Sequence, residues 1–251
     1  MNFKNKIIII IVFCITISAC SYFIIYTIHD RLESQLLEKC HVETLVGARV
    51  MSDILHNLAI NNIISQADLF DTDYVPVKGS SLKKFHTRYD RVLEGYIQKI
   101  EDEFLLDPDV SFAVLGDKNG YVPAHNSIYS KPETGNYTHD LAFSRSKRIF
   151  GDFPAIKNAI KYRGRGTTRN IYCSDTNELR VNFAAPVTLD EKHWGTFVIG
   201  VSMERLNILK NQMLIMIITV MLVILSMTML AILAVIPKKI LNTDFSSDKR
   251  Y

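Results

Sequence analysis

The stretch that decides the fold is VSFAVLGDKNGYVPAH, at residues 110–125. Residues 110–115 are an apolar run that predicts a short β-strand, and residues 117–120 contain the Asn-Gly pair typical of a tight hairpin turn. Residues 121–125 then predict a strand that returns against the first. The sequence on the N-terminal side of this stretch has a helical pattern, so the chain changes here from helices to sheet.

Two helices are predicted before this point. Residues 30–67 contain no proline and one glycine, Gly47, and apolar side chains recur at helical spacing, as at Leu32, Leu36 and Cys40. This long helix continues directly from the apolar sequence that precedes it. Residues 82–104 predict a second helix, which ends before the Asp107-Pro108 pair because a residue preceding proline disfavours the helical conformation.

The sequence after residue 125 predicts more strands. Residues 170–174, 179–188 and 195–202 are short strand-like segments separated by polar turns, and residues 153–162 predict a short helix in a long connection. From residue 204 onward the pattern is helical again. Helices followed by antiparallel strands predict an α+β domain, with the sheet between residues 110 and 202.

The domain lies between two uncharged apolar runs, residues 7–28 and 213–236. Each has the roughly 20 residues that a membrane-spanning helix needs. The predicted layout is a cytoplasmic tail at 1–6, a span at 7–28, an extracytoplasmic domain at 29–212, a span at 213–236 and a short cytoplasmic tail at 237–251. This layout argues against a simple soluble enzyme and against a transporter with many helices.

Charge supports the same layout. The two tails carry six Lys and Arg against two Asp, a net +4, whereas the whole chain is +3, which leaves −1 for residues 29–212. Positive residues beside both spans predict that both tails are cytoplasmic and that the domain is periplasmic, in a two-span inner-membrane protein. The basic charge lies in the tails, so no nucleic-acid partner is predicted.

Cysteines leave some alternatives open. Residues 17–20 resemble a lipoprotein processing site with Cys20 as the lipid-bearing residue, although the apolar run continues past it. A disulfide between Cys40 and Cys173, or between the Cys40 residues of two protomers, is possible. Cys40-His41 resembles the end of a haem attachment motif, but Leu37 stands where its first cysteine belongs. No cofactor is predicted.

Several longer motifs resemble a known family. They are FDTDY at 70–74, FHTRY at 85–89, DKNGYVPAHN at 117–126 and RSKRIFGD at 145–152, in that order. Residues 68–203 thereby resemble the extracytoplasmic PAS-like (Cache) sensor domain of bacterial methyl-accepting chemotaxis proteins. The resemblance implies an antiparallel sheet with a small-molecule pocket on one face and a long N-terminal helix, held between two transmembrane helices.

The same resemblance implies a chemoreceptor-type sensor whose ligand shifts the helices that enter the membrane. It also implies a dimer, either a homodimer or a heterodimer with a full-length chemoreceptor along residues 30–67. The sequence ends 15 residues after the second run, at what looks like the start of a HAMP linker. We therefore expect signalling through a partner; a truncated receptor remnant, a haem or redox protein and a membrane-anchored scaffold are the alternatives.

Residues 140–170 carry eight Lys and Arg against two Asp. Such a cationic segment suits an anionic ligand, because guanidinium groups bind carboxylate and phosphate. The other interpretations are contact with anionic lipid headgroups and a solvated surface. No nucleophile–base pair and no metal-binding spacing is visible, so the protein is predicted not to be an enzyme. The predicted ligand-binding residues are Tyr121, His125, Asn126, Asp140, Arg145, Lys147, Arg148 and Tyr172.

Overall fold

The computed structural model describes residues 3–151, 154–173 and 179–235. The chain divides into two compact units, Met1–Ser34 with Leu206–Tyr251, and Gln35–Arg205. The helices are α1 (Phe3–Ile60), α2 (Gln66–Leu69), α3 (Asp90–Glu103), α4 (Tyr137–Phe143), α5 (Pro154–Lys161) and α6 (Met203–Val235). The strands are β1 (Val75–Pro76), β2 (Phe85–His86), β3 (Val110–Asp117), β4 (Tyr121–Val122), β5 (Arg148–Ile149), β6 (Thr168–Cys173), β7 (Leu179–Leu189) and β8 (Lys192–Ser202).

The first unit consists of the apolar parts of α1 and α6. Asn5–Ile60 and Asn211–Val235 each contain a stretch long and apolar enough to cross a membrane. Large apolar side chains along both stretches are exposed, such as Phe13, Phe23 and Leu225. Such surfaces are unfavourable in water and suit the hydrocarbon of a bilayer.

The second unit is built on a four-stranded antiparallel sheet in the order β3-β8-β7-β6. Side chains alternate between its two faces because successive residues of a strand point in opposite directions. One face, here called the core face, carries buried apolar residues such as Leu115, Phe197 and Ile199. The α+β class with an antiparallel sheet and a long N-terminal helix, together with two apolar helices, is confirmed.

Helices α1 and α3 cover the core face. Met51 and Leu55 from α1 and Leu93 and Ile97 from α3 are fully buried in the same cluster as the sheet residues. Gly47 is required where α1 passes closest to the sheet, because a Cβ there would lie 2.1 Å from Cε1 of Phe197. The sequence pattern placed the end of this helix near residue 67, whereas α1 ends at Ile60.

A turn is present at residues 117–120, where the sequence predicts one, and the Gly120 N–H donates to the Asp117 carbonyl at 3.0 Å. The Asp117 carboxylate accepts the backbone N–H groups of Asn119 and Tyr121, each at 2.8 Å, and Gly120 adopts φ +82°. Asp117 also accepts hydroxyl hydrogen bonds from Tyr74 and Tyr89. These bonds fix the turn against the helical layer.

The predicted hairpin across this turn is wrong, because β4 pairs with β5 and not with β3. The reason lies at the outer edge of β3. The backbone N–H of Ala113 donates to Asn126 Oδ1 and that of Leu115 donates to Glu101 Oε1. These two backbone N–H groups are bonded to side chains and are not available to a returning strand. The chain therefore turns away from β3, and β4 pairs with β5 over the face of the sheet opposite α1 and α3.

Candidate ligand-binding site

A cavity of about 680 Å³, including its open mouth, lies on the second face of the sheet, here called the cavity face. Its floor is formed by alternate residues of three strands: Phe112 and Val114 of β3, Thr196 and Val198 of β8, and Arg180 and Asn182 of β7. Its walls come from the segment after β4, which contributes His125, Tyr129, Arg145 and Phe150, and from α5, which contributes Ile156 and Ile160. The cavity is therefore mostly apolar, with a few polar groups directed into it.

Arginines are the charged groups of this lining. Arg145 and Arg180 line the cavity, and Arg148 lies beside it, against the same ring as Arg145. The guanidinium carbons of Arg145 and Arg148 are 5.2 and 4.8 Å from the centre of the Phe150 ring, and that of Arg180 is 5.5 Å from the Phe112 ring. A cation–π contact of this kind restricts the positions of a guanidinium group, and such a group can bind a carboxylate through two parallel hydrogen bonds.

His125 is the buried imidazole of the cavity, with 4% of its surface exposed. Burial lowers its pKa well below the usual value, and the positive charges of Arg145 and Arg180 lower that pKa further. The ring is therefore neutral at pH 7. Its Nδ1 accepts the backbone N–H of Asn126 at 2.9 Å, so the proton resides on Nε2, which can donate to a ligand.

Asn182 is the unexpected polar group of the floor. Its side chain is 1% exposed, and neither Nδ2 nor Oδ1 has a hydrogen-bond partner among residues 3–151, 154–173 and 179–235. Thr196, on the neighbouring strand, lies near the carbonyl of Ala159, with its hydroxyl 3.5 Å from that oxygen. The cavity lining thus includes a buried amide group that has no hydrogen-bond partner in the described part of the chain.

Of the eight predicted residues, the structure brings His125 and Arg145 to the cavity lining and Arg148 to its border. Lys147 pairs its ammonium with Glu94 at 3.2 Å, and its backbone has φ +64°. Tyr172 has its backbone in β6, opposite Arg180, and its side chain lies outside what the structure describes.

The other three predicted residues make internal hydrogen bonds. The Tyr121 hydroxyl donates to the Phe85 carbonyl at 2.9 Å, and its ring is fully buried on the helical side of the sheet. The Asn126 amide donates to the carbonyl of Glu101 at 2.6 Å and accepts from β3. Asp140 accepts backbone N–H groups at the start of α4, from Thr134 and Gly135. Our proposed site keeps His125, Arg145 and Arg148 and leaves these three out.

Sequence reasoning missed Arg180 and Asn182. Both are polar residues in β7 that alternate with the buried Val181 and Phe183. This two-residue period is the signal that could have found them, because it assigns them together to the face opposite the core.

The cysteine and metal alternatives can be placed in the structure. Cys40 and Cys173 are both free, and Cys40 is fully buried. Burial, together with the nearby Glu43 carboxylate, raises the pKa of its thiol to about 12. His41 bonds Thr167 through Nδ1 at 2.6 Å. Within the described residues no cluster of three His, Cys, Asp or Glu side chains could hold a metal ion.

Comparison with known proteins gives structural likenesses. The chain resembles the sensor domain of E. coli DcuS, with 17% identity, 64% of this chain and 98% of that one covered, and a TM-score of 0.35. It resembles the sensor domain of the V. cholerae histidine kinase DctB with 14% identity, 70% and 57% coverage and a TM-score of 0.36. It resembles the ligand-binding domain of the C. jejuni chemoreceptor Tlp3, solved with 4-methylisoleucine, with 15% identity, 69% and 63% coverage and a TM-score of 0.37.

The matches to DctB and Tlp3 span less than two thirds of those chains. No family model matches the sequence, and no curated protein matches it.

Proposed function

We propose that the protein is a membrane-anchored sensor that binds a small carboxylate in the cavity on the sheet. The observation that carries this proposal is the pair of arginines, Arg145 and Arg180, that face one apolar cavity together with the neutral His125. Arginine binds carboxylates through paired hydrogen bonds, and an apolar surround strengthens such contacts. A small organic acid with an apolar body fits both parts of the lining.

Binding, and not catalysis, is the proposed role. Among the lining residues that the structure describes, no Ser, Cys or Lys nucleophile stands beside a base. The neutral imidazole of His125 lies among arginines and can donate a hydrogen bond from Nε2. Such a donor is suited to the recognition of an anion.

The proposed signal is a ligand-induced movement of the segment that walls the cavity. A carboxylate bound by Arg145 and Arg180 would connect this segment to β7 and so draw it toward the sheet. β8, which lies between β7 and β3, ends at Ser202, and α6 begins at Met203 and continues into the second apolar stretch. A ligand that binds more tightly to one position of the cavity wall would favour that position, and through the sheet it would bias the position of α6.

The proposed placement is the inner membrane, with both tails cytoplasmic and the sensor domain periplasmic, because Lys and Arg flank both apolar runs. We also propose that the protein dimerises along α1, as a homodimer or with a full-length chemoreceptor. Val42 and Val46, one helical turn apart on α1, are 48% and 49% exposed and offer an apolar stripe for a partner helix.

The test is thermal unfolding of the full chain in detergent, against a panel of small carboxylates, amines and neutral sugars. A ligand at 100 times its Kd should add about 2.7 kcal/mol of stability. We expect a carboxylate to raise the melting temperature of the wild type, Arg145→Met to remove most of the shift, and Arg148→Ala to reduce it.

Arg91→Met is the matched control, since Arg91 is exposed on α3. This control should keep the full shift. A shift that survives intact in Arg145→Met, or that only amines and sugars produce, would reject the proposed site.

A further inference from the structure

Two asparagines lie side by side on the cavity face. Asn170 of β6 stands directly opposite Asn182 of β7 in the sheet. Residues opposite each other on antiparallel strands have their Cβ atoms about 5 Å apart. Nδ2 of Asn170 and both amide atoms of Asn182 are buried without a hydrogen-bond partner in the described ranges, 3–151, 154–173 and 179–235.

Such an arrangement is unfavourable unless something binds it. A buried polar group that lacks a partner costs about 1–3 kcal/mol, and native proteins contain few of them. On the β8 side the cross-strand neighbour of Asn182 is Gly200, which has no side chain. The space above Gly200 is occupied by the Phe112 ring, which would lie 1.9 Å from a Cβ at that position.

The two ends of the cavity floor therefore differ in polarity. Phe112 and Val114 make the β3 end apolar, whereas Arg180 and Asn182 make the β7 end polar. Arg180 and Asn182 are two residues apart on one strand, so they point to the same side about 7 Å apart along it. A ligand whose carboxylate binds Arg180 would therefore place its next few carbon atoms beside Asn182.

We propose that Asn182, supported by Asn170, binds a hydroxyl group of the ligand, so that the site selects small hydroxy acids over the unsubstituted acids. This inference rests on the proposed function, because it requires a carboxylate at the arginines. A hydroxyl both donates and accepts, and the Asn182 amide offers one acceptor and one donor. An ammonium group only donates, and Arg180 nearby repels its charge.

The test is titration calorimetry on the full chain in detergent with matched probes. The probes are propanoate with 2-hydroxypropanoate, and butanoate with its 2-, 3- and 4-hydroxy derivatives. We expect at least one hydroxy acid to bind tenfold or more tightly than its parent. Asn182→Leu should bring that ratio to about one and leave the affinity for the parent acid within twofold.

Asn57→Leu makes the same change on an exposed part of α1 and should keep the preference. Since Asn182→Leu removes an unpaired amide, its melting temperature without ligand should equal or exceed that of the wild type; Asn182→Ala serves if the larger residue does not fold. Equal binding of hydroxy acid and parent acid by the wild type would overturn the inference. A preference for the hydroxy acid that persists in Asn182→Leu, or in Asn182→Ala where that variant is used, would overturn it as well.

The two proposals fail in different ways. Carboxylates that bind in an Arg145-dependent manner without a hydroxyl preference would remove only the role of Asn182. If no acid of the panel binds, the carboxylate site and the hydroxyl preference are both rejected.

Discussion

The buried carboxyl group of Glu101 should make the free energy of unfolding depend on pH. The side chain is fully buried, Oε1 accepts the Leu115 N–H at 2.8 Å, and Oε2 has no partner within the described residues. Burial raises its pKa well above the ordinary 4.5. The folded protein therefore holds a proton on this carboxyl at pH values at which the unfolded chain has released it.

The sign and size of the effect follow from proton linkage. Because the folded state binds the extra proton, the free energy of unfolding falls as the pH rises from about 4.5 to the raised pKa. Over that window the loss is about 1.4 kcal/mol per pH unit for this one group. Glu101→Gln keeps the acceptor for Leu115 and cannot ionise, so this contribution to the slope should disappear.

Trp194 supplies the assay. It is the single tryptophan of the chain, it is 1% exposed, and its indole N–H donates to the Leu69 carbonyl at 2.7 Å. Its fluorescence should report unfolding of the Gln35–Arg205 unit in urea, followed from pH 5 to pH 8. The wild-type slope should exceed that of Glu101→Gln, while Glu103→Gln, an exposed change on the same helix, should match the wild type. Equal slopes for wild type and Glu101→Gln would refute the buried neutral acid.

Two further predictions use the same fluorescence measurement, and a third uses calorimetry. Gly47→Ala should lower the free energy of unfolding by about 1–3 kcal/mol, since its methyl group overlaps the Phe197 ring, and an unchanged value would contradict the close packing. Asn126→Ala should cost about 1–3 kcal/mol because a buried backbone N–H of β3 loses its acceptor; a loss of carboxylate binding at unchanged stability would instead favour a ligand contact. Gly200→Ala should displace the Phe112 ring toward the cavity and weaken binding of propanoate in calorimetry; unaltered affinity would count against the proposed floor.

The fold class could be predicted because its determinants are periodic. The repeat of apolar residues identified α1 and α3, and the short apolar segment after the turn at residues 190–193 identified β8. The partner of β4 could not be predicted in this way. The side chains of Glu101 and Asn126 occupy the edge of β3, and a turn sequence contains no information about a competing contact from another helix and loop.

The candidate site was partly predictable for a similar reason. Clustering of positive charge pointed to Arg145 and Arg148, which lie near one another in sequence. Arg180 comes to the same cavity from β7. The two-residue period of that strand assigns Arg180 to the face opposite the core, but the pairing of the strands is needed to bring it to the cavity. Asn126 is of a residue type that often binds ligands, yet its amide accepts a hydrogen bond from Ala113 of β3 and donates one to Glu101 of α3. The sequence does not reveal in which direction an amide side chain points.

The bonded edge of β3 also bears on the solubility of the domain. An edge strand with open N–H and C=O groups can recruit a strand from another molecule, which begins aggregation. Here Glu101 and Asn126 take two N–H groups, and the Tyr129 hydroxyl donates to the carbonyl of Ser111 at 3.2 Å. Strand addition at this edge would have to break these three hydrogen bonds, so β3 is protected from pairing with a strand of another molecule.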